Sequence, residues 1–374
     1  MVNGARKLSV AVLFGGRSGE HEVSLMSARS VLSVLSPDRY DVHQIGISQA
    51  GTWFTGADVI GRFEVGSTEG LDNVIVTPDP AQPGPYRRSN GKTKKIAEID
   101  VYFPVLHGTF GEDGTIQGLL ELADAAYVGA GVVGSAVGMD KGVFKDVMRA
   151  NGIPVLESVL ILRSEIERDA SAAIAKAEAM GPYPFFSKPA NLGSSVGVTK
   201  CMSRSDLGEG LMEAARYDRR VLVERAAVNC REIEVSVLGN EDPEASVPGE
   251  VLPSREFYSY ESKYIDGTSG LVIPADLPAQ VSDQIRAYAV QAYQAIDCAG
   301  MARVDFFVER DSARIILSEL NTIPGFTMIS MYPKLWGASG LPYDRLVDRL
   351  IELAIERKGD RDRTEYSFRK GRVQ

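Results

Sequence analysis

Leu8-Ser9-Val10-Ala11-Val12-Leu13-Phe14 runs straight into Gly15-Gly16. A short apolar run closed by two glycines reads as a strand buried on both faces and ended by a tight turn. Strands of that kind belong to parallel sheets covered by helices. Working outward, Leu25, Ala28, Leu32 and Leu35 fall on one helix face. Residues 40–47 predict a second strand, 100–106 (DVYFPVL) a third and 116–123 a second helix. Pro and Gly cluster over 77–91, which predicts a loop. The alternation predicts an α/β first domain with a parallel sheet.

Further along, a helix over 141–150 is stopped by Asn151-Gly152-Ile153-Pro154. Residues 155–225 predict strand, helix (165–180), strand, Gly-rich loop, strand, helix (204–217) and strand (221–224), a small α+β unit. Strands near 231–238 and 301–308, a helix over 278–296 and a last helix over 343–356 follow. From Glu356 onward the chain is basic, polar and poor in apolar residues, which predicts a frayed, solvated tail.

Composition limits the function. The 374 residues correspond to two or three domains at about 150 residues each. With 44% hydrophobic and 24% charged residues, disordered, collagen-like and disulfide-scaffold classes are excluded. The net charge, 41 − 50 = −9, argues against nucleic acid as the main partner and leaves room for a local basic pocket. Cys201, Cys230 and Cys298 are far apart and lack CxxC spacing, as expected of reduced thiols. No apolar run reaches the ~20 residues of a membrane helix. The start of the chain shows no signal-peptide pattern. These features predict a soluble, cytoplasmic protein with no membrane partner.

Four stretches carry chemistry. Gly15 to Glu20 (GGRSGE) is not GxGxxG, and no acid ends the second strand, so a dinucleotide site is excluded. Glu20 falls at a strand's carboxyl end beside a helix N-terminus, where it suits an amino-acid ammonium; a tight turn alone is the plainer alternative. His107-Gly108-Thr109-Phe110-Gly111-Glu112-Asp113-Gly114 occupies the next such end. There His107 is a ligand or proton carrier, or a satisfied structural histidine, and Asp113 or Thr115 caps the following helix. Between two strands, Lys188 precedes a loop with Gly193, Ser194, Ser195 and Gly197. Backbone N–H groups, hydroxyls and a lysine suit a lid over phosphates, without the Walker A spacing. Lys141, opening a helix, is a second phosphate cation.

The fourth stretch is a hairpin. Arg303 and Asp305 share one face of a strand, and Glu319 and Asn321 share one face of the next. A turn near 311–312 places Asp305 roughly opposite Ser318 and Glu319. Two carboxylates and an amide oxygen, too few to fill an octahedron, suit Mg²⁺ shared with phosphate oxygens. Arg303 beside them offsets charge on a reacting oxygen. A long polar and aromatic segment, 255–267, with Lys263 and Tyr264, is either a covering loop or an ordinary surface excursion.

Together these stretches resemble the D-alanine–D-alanine ligases of the ATP-grasp superfamily. The resemblance rests on FGGRSGEHEVS (14–24), HGTFGEDGTIQG (107–118), GMDK (138–141), KPANLGSSVGV (188–198), REIEV (231–235), PGEV (248–251), FYSYESKY (257–264), ARVDFF (302–307) and ELNTIPGFTMISMYP (319–333), in that order. It implies an α/β and α+β, ATP-grasp architecture. A Rossmann-like parallel-sheet domain (1–138) precedes two α+β domains that clamp ATP, a central one with the Gly/Ser lid (139–225) and a C-terminal one with the metal site and covering loop (226–374). It implies two Mg²⁺ ions, with Mn²⁺ a substitute, and ligation of two D-alanines through a D-alanyl phosphate and a tetrahedral intermediate, a step in peptidoglycan precursor synthesis. A homodimer is implied by the same analogy.

By the same resemblance, Glu20 orients the first D-alanine and His107 lies in the substrate site. Arg303 and the Gly325 N–H stabilise the oxyanion, and Ser330 binds the second carboxylate. Ser194 and Tyr264 join Glu20 in a hydrogen-bonded set. Lys141, Lys188, Lys263 and the Ser194-Ser195 loop contact ATP phosphates, Glu224 binds adenine and Glu232 the ribose. Asp305, Glu319 and Asn321 hold magnesium. Three departures stand out. Ser318 replaces a usual Asn and is expected to point away from the metal face. The hinge 224–232 is one residue longer than usual. Ser187 puts a hydroxyl where an apolar residue is usual, and it needs a partner. Lys263-Tyr264 favours the dipeptide over a D-alanine–D-lactate ligase. The set Arg303, Asp305, Glu319 and Asn321 disfavours a non-catalytic ATP-binding regulatory module.

Overall fold

A computed structural model describes residues 6–89, 91–252 and 270–366. Their strands form three sheets. The first contains Leu8–Gly15 (β1), Tyr40–Ile47 (β2), Trp53–Thr55 (β3), Asp72–Val76 (β4), Pro85–Ser89 (β5), Lys92–Lys95 (β6) and Val101–Val105 (β7), in the order β6-β5-β4-β3-β2-β1-β7. As the buried run predicts, β1 is flanked in parallel by β2 and β7. The sheet continues beyond this parallel part, because β2 to β6 pair antiparallel. The expected loop or excursion near 77–91 carries part of this extension, with β5 paired to β6. The added strands are three to five residues long. At that length they carry too little apolar period to show in the sequence. Pro104 is tolerated because β7 is the edge of the sheet path.

The second sheet holds Ser158–Leu162 (β8), Phe185–Pro189 (β9), Thr199–Cys201 (β10) and Arg220–Arg225 (β11), all antiparallel, in the order β10-β9-β11-β8. Helices Ala170–Glu178 and Arg204–Tyr217 cover it, sharing a core with Ile161, Phe185, Val221 and Val223. The helix expected over 165–180 is two helices. It breaks at Asp169, whose carboxylate accepts from the Ala172 N–H at 3.0 Å and caps the second.

The third sheet orders Gly270–Val272 (β15), Gly249–Leu252 (β14), Cys230–Gly239 (β12), Gly300–Glu309 (β16) and Ile315–Asn321 (β17), with Glu244–Ala245 (β13) beside β12. Helix Ala279–Ala295 packs Ile285, Ala289 and Ala292 on it. The last helix, Tyr343–Arg361, sends Leu346, Val347, Leu350 and Ile351 into one core with Val10, Val12 and Phe103. The first and third sheets are thereby joined. The predicted tail is corrected over 356–361: this stretch is helical and docked. Arg357 donates to the carbonyls of Gly129 and Tyr127, and Arg361 pairs with Glu121 at 2.6 Å. No helix among the described residues is long and apolar enough to cross a membrane.

Candidate active site

A cavity of about 310 Å³ opens where the three sheets meet. Glu20, His107 and Glu112 reach it from the first, Lys141, Lys188, Gly193 to Ser195 and Glu224 from the second and its entry helix, and Glu232, Glu234, Arg303, Asp305, Glu319, Asn321 and Gly325 from the third.

At one end the wall is cationic. Lys188 on β9 lies opposite Leu222 of β11, so Glu224, two residues on, shares its face. The Lys188 ammonium donates to Glu224. Helix Lys141–Ala150 brings Lys141 and, one turn later, Lys145. Lys141 Nζ donates to the Leu192 carbonyl at 2.6 Å, which ties the helix to the Gly/Ser loop. Lys145, 1% exposed, sits 3.1 Å from the other Glu224 oxygen. Burial alone pushes the Glu224 carboxyl up; the Lys145 and Lys188 ammonium groups outweigh it and hold it at about 2. The pairing is lopsided. Burial pulls Lys145 below its ordinary value against the pull of Glu224, and Lys188, which shares that carboxylate, adds to the lowering.

At the other end lies the hairpin. Register places Asp305 directly opposite Glu319, and Arg303 opposite Asn321. Arg303 forks onto Asp305, with Nε to Oδ1 and Nη2 to Oδ2 both at 2.7 Å. Asn321 Nδ2 donates to the same carboxylate at 3.2 Å. A β-bulge between Asp305 and Phe306 shifts the register, so that Phe306 pairs with Leu317. Ser318 is the extra residue. It lies next to Glu319 at the cavity wall. Among the described residues no three His, Cys, Asp or Glu side chains gather as a metal site. Two carboxylates and an amide oxygen still suit a hard divalent ion that completes its shell with phosphate oxygens.

Between these ends sits Glu20. Gly15, at φ +88°, makes the turn that leads to it; a Cβ there would lie 2.3 Å from the Ile47 carbonyl oxygen. The Ser194 hydroxyl donates to Glu20, joining the Gly/Ser loop to the first sheet. Gly108 and Gly193 press against the Glu20 carboxylate, and a Cβ on either would come within 2.3 or 2.8 Å of Oε2. His107 is a satisfied histidine that also lines the cavity: its ring nitrogens meet Ser27 Oγ and the Ile323 carbonyl, each at 2.9 Å. Burial lowers its pKa, against the pull of Glu20. Glu112 accepts the N–H groups of Gly108 (3.2 Å) and Ile323 (3.1 Å). Burial, reinforced by Glu20, nevertheless pushes its carboxyl up to about 8. Asp113, as expected, takes the Thr115 N–H at 3.0 Å.

The predicted set therefore converges, with exceptions. Ser330 is not part of the cavity wall; its hydroxyl accepts the Thr327 N–H at 3.1 Å, at the start of helix Met331–Ala338. Lys263 and Tyr264 lie outside the described residues. The Ser187 hydroxyl is buried and has no hydrogen-bond partner among the described residues, so its expected need for one is unmet. The sequence reading missed Lys145, Glu112 and Glu234. The first was legible as Lys141 plus four, which is one helix face. Glu234 was legible as Glu232 plus two, which is one strand face.

Two family models match the chain, one described as the D-ala D-ala ligase N-terminus over residues 9–130 and the other as the D-ala D-ala ligase C-terminus over residues 147–352. A D-alanine–D-alanine ligase from Acetivibrio thermocellus is 47% identical over 370 residues, covering 95% of this chain and 97% of the relative. One from Natranaerobius thermophilus is 46% identical, covering 97% and 99%. Among solved structures, the D-alanine–D-alanine ligase from Coxiella burnetii superposes with a TM-score of 0.81 at 37% identity, covering 96% and 97%. The D-Ala:D-Ser ligase from Enterococcus faecalis reaches 0.83 at 34% identity, covering 93% and 100%.

Proposed function

The chain belongs to the D-alanine–D-alanine ligase family, and from that premise we propose that it joins two D-alanines into D-alanyl-D-alanine, with ATP converted to ADP and phosphate. The observation that carries this reading is the single cavity with a lysine-rich end and a carboxylate hairpin end, bridged by Glu20 and Ser194.

A carboxylate oxygen is a poor leaving group, so the first D-alanine is activated as an acyl phosphate. Glu20 holds its ammonium and orients its carboxylate toward the γ-phosphate. Lys141 and Lys188, with Lys263, offset the phosphate charge, and Ser194 and Ser195 cover it. Glu224 accepts from the adenine amine, and Glu232 from the ribose hydroxyls. Asp305, Glu319 and Asn321 would hold two magnesium ions, for which manganese would substitute. When bound, these would supply positive charge that lowers the repulsion the attacking carboxylate meets. The second D-alanine is held by Ser330, and its amine attacks the acyl carbon. Arg303 and the Gly325 N–H stabilise the tetrahedral oxyanion, which then expels phosphate. Tyr264 completes the set with Glu20 and Ser194. We further propose the three-part division at 138 and 225, a homodimer and a cytoplasmic location.

Phosphate release with D-alanine, L-alanine, D-serine or D-lactate, with and without magnesium, tests the reading. Release should need D-alanine and the metal together, and the product should be the dipeptide. Release without D-alanine, or a mainly depsipeptide product when D-lactate competes at neutral pH, overturns it.

A further inference from the structure

Three carboxylates stand abreast across three neighbouring strands. Glu234 of β12 is in register with Asp305 of β16, and Asp305 with Glu319 of β17. The next row is Ser236, Arg303 and Asn321. Side chains so placed are about 5 Å apart at Cβ. Arg303 lies among the acids and is shared. Its Nε is 2.7 Å from Asp305 Oδ1 and 3.0 Å from Glu234 Oε2. The side chains of Arg303 and Glu234 are only 13% and 10% exposed, so neither is well solvated.

Both Asp305 oxygens are taken by the Arg303 fork. The fork leaves a lone pair on each oxygen for a divalent ion, but a guanidinium and a dication on one carboxylate repel each other. Loading the hairpin therefore weakens the fork. A largely buried guanidinium losing a counter-charge is costly unless another carboxylate is already in contact, and Glu234 is in contact.

We propose that Glu234 is a positioning residue that takes over Arg303 when Asp305 turns to the metal, keeping the guanidinium beside the reacting carbon. This rests on the ligase reading and adds to it a residue whose carboxylate makes metal binding and oxyanion stabilisation compatible.

The test measures Mn²⁺ binding by calorimetry with a non-hydrolysable ATP analogue present, so no turnover is involved. Glu234→Gln keeps the shape and removes the charge. It should weaken Mn²⁺ binding about tenfold, the scale of losing a group that supports a metal ligand, because the ion must then compete with an Arg303 that has lost the carboxylate of Glu234. In an Arg303→Met background the competition is gone, and Glu234→Gln should change Mn²⁺ binding by less than about twofold. Equal weakening in both backgrounds means that Glu234 acts only through its field and overturns the proposal, as does no weakening in either. Absence of Mn²⁺ binding by the unmodified protein sinks the metal reading itself, a separate result. In the same variants kcat should fall while the KM for D-alanine holds. If melting curves show that Glu234→Gln is unfolded, Glu234→Met, which also removes the charge, takes its place in both backgrounds, with the same outcomes expected.

Discussion

Glu224 and Glu112 line the same cavity and are driven in opposite directions. Glu224 is the more buried, 5% exposed, yet its carboxyl is held at about 2. Glu112 accepts two backbone N–H groups and still rises to about 8. Burial disfavours the charged form of both. The difference lies in the neighbours: two ammonium groups face Glu224, whereas Glu112 faces the carboxylate of Glu20, which Arg303 and the two N–H groups offset only in part. One part of the cavity keeps a buried carboxylate ionised. Another sets two carboxylates against each other.

The largest expected effect comes from removing a cation at the Glu224 end. Lys145→Met leaves Glu224 buried with half its compensation. Breaking such a buried pair costs about 3 to 5 kcal/mol, and the KM for ATP should rise with it. Adding Glu224→Gln removes the stranded charge, so the double variant should recover much of the lost stability. Chemical denaturation of the two variants measures both. A Lys145→Met protein as stable as the parent would mean that Lys188 alone holds Glu224, and the comparison would lose its basis.

A smaller effect, opposite in sign at the two carboxylates, follows from pH. The folded Glu224 sits below its ordinary 4.5, so its contribution to stability is present above that value and is lost as pH falls toward about 2. The folded Glu112 sits above 4.5. The folded state therefore holds a proton that the unfolded state has released, and that contribution is full below 4.5 and lost as pH rises through about 8. Glu112→Gln abolishes the second dependence. Melting temperatures of the parent, referred to the variant, should drop by a few degrees from mildly acidic to mildly alkaline pH. A flat difference would show that the Gly108 and Ile323 N–H groups keep Glu112 ionised throughout.

The lysine end was half legible in the sequence and the hairpin nearly whole, for physical reasons. Strand alternation fixes which side chains share a face, so Arg303, Asp305, Glu319 and Asn321 could be grouped without coordinates. Alternation says nothing of a bulge, and the one opposite Ser318 was accordingly not foreseen. Lys145 was passed over: its spacing from Lys141 puts both on one helix face, but nothing local in a sequence shows that this face looks onto Glu224, about eighty residues away. In the fold, β1 and β7 announced themselves as apolar runs buried on both faces. The short β3 to β6 did not, and the antiparallel extension of the sheet was not foreseen. The basic end of the last helix looked solvated because the carbonyls it caps, at Tyr127 and Gly129, lie in a loop with no pattern of its own.

The finest adjustment moves Glu20 itself. Gly193 has no left-handed backbone to protect, and its absent Cβ would lie 2.8 Å from Glu20 Oε2, the free end of a flexible side chain. Gly193→Ala should therefore cost the fold less than about 0.5 kcal/mol, the range of a substitution that strains nothing rigid. It should push the Glu20 carboxylate away from Ser194 and raise the KM of the first D-alanine about fivefold, with ATP binding unchanged, as a loss confined to substrate binding does. Gly108→Ala is the harsher counterpart, with a contact of 2.3 Å and φ +72°, so its losses would mix strain with displacement. Because Glu20 is also the charge that raises Glu112, its retreat should lower the Glu112 carboxyl and move the alkaline limb of the stability profile to lower pH. An unchanged D-alanine KM together with a shifted pH limb would separate the two roles: Glu20 would then set the charge of this end without touching the substrate ammonium.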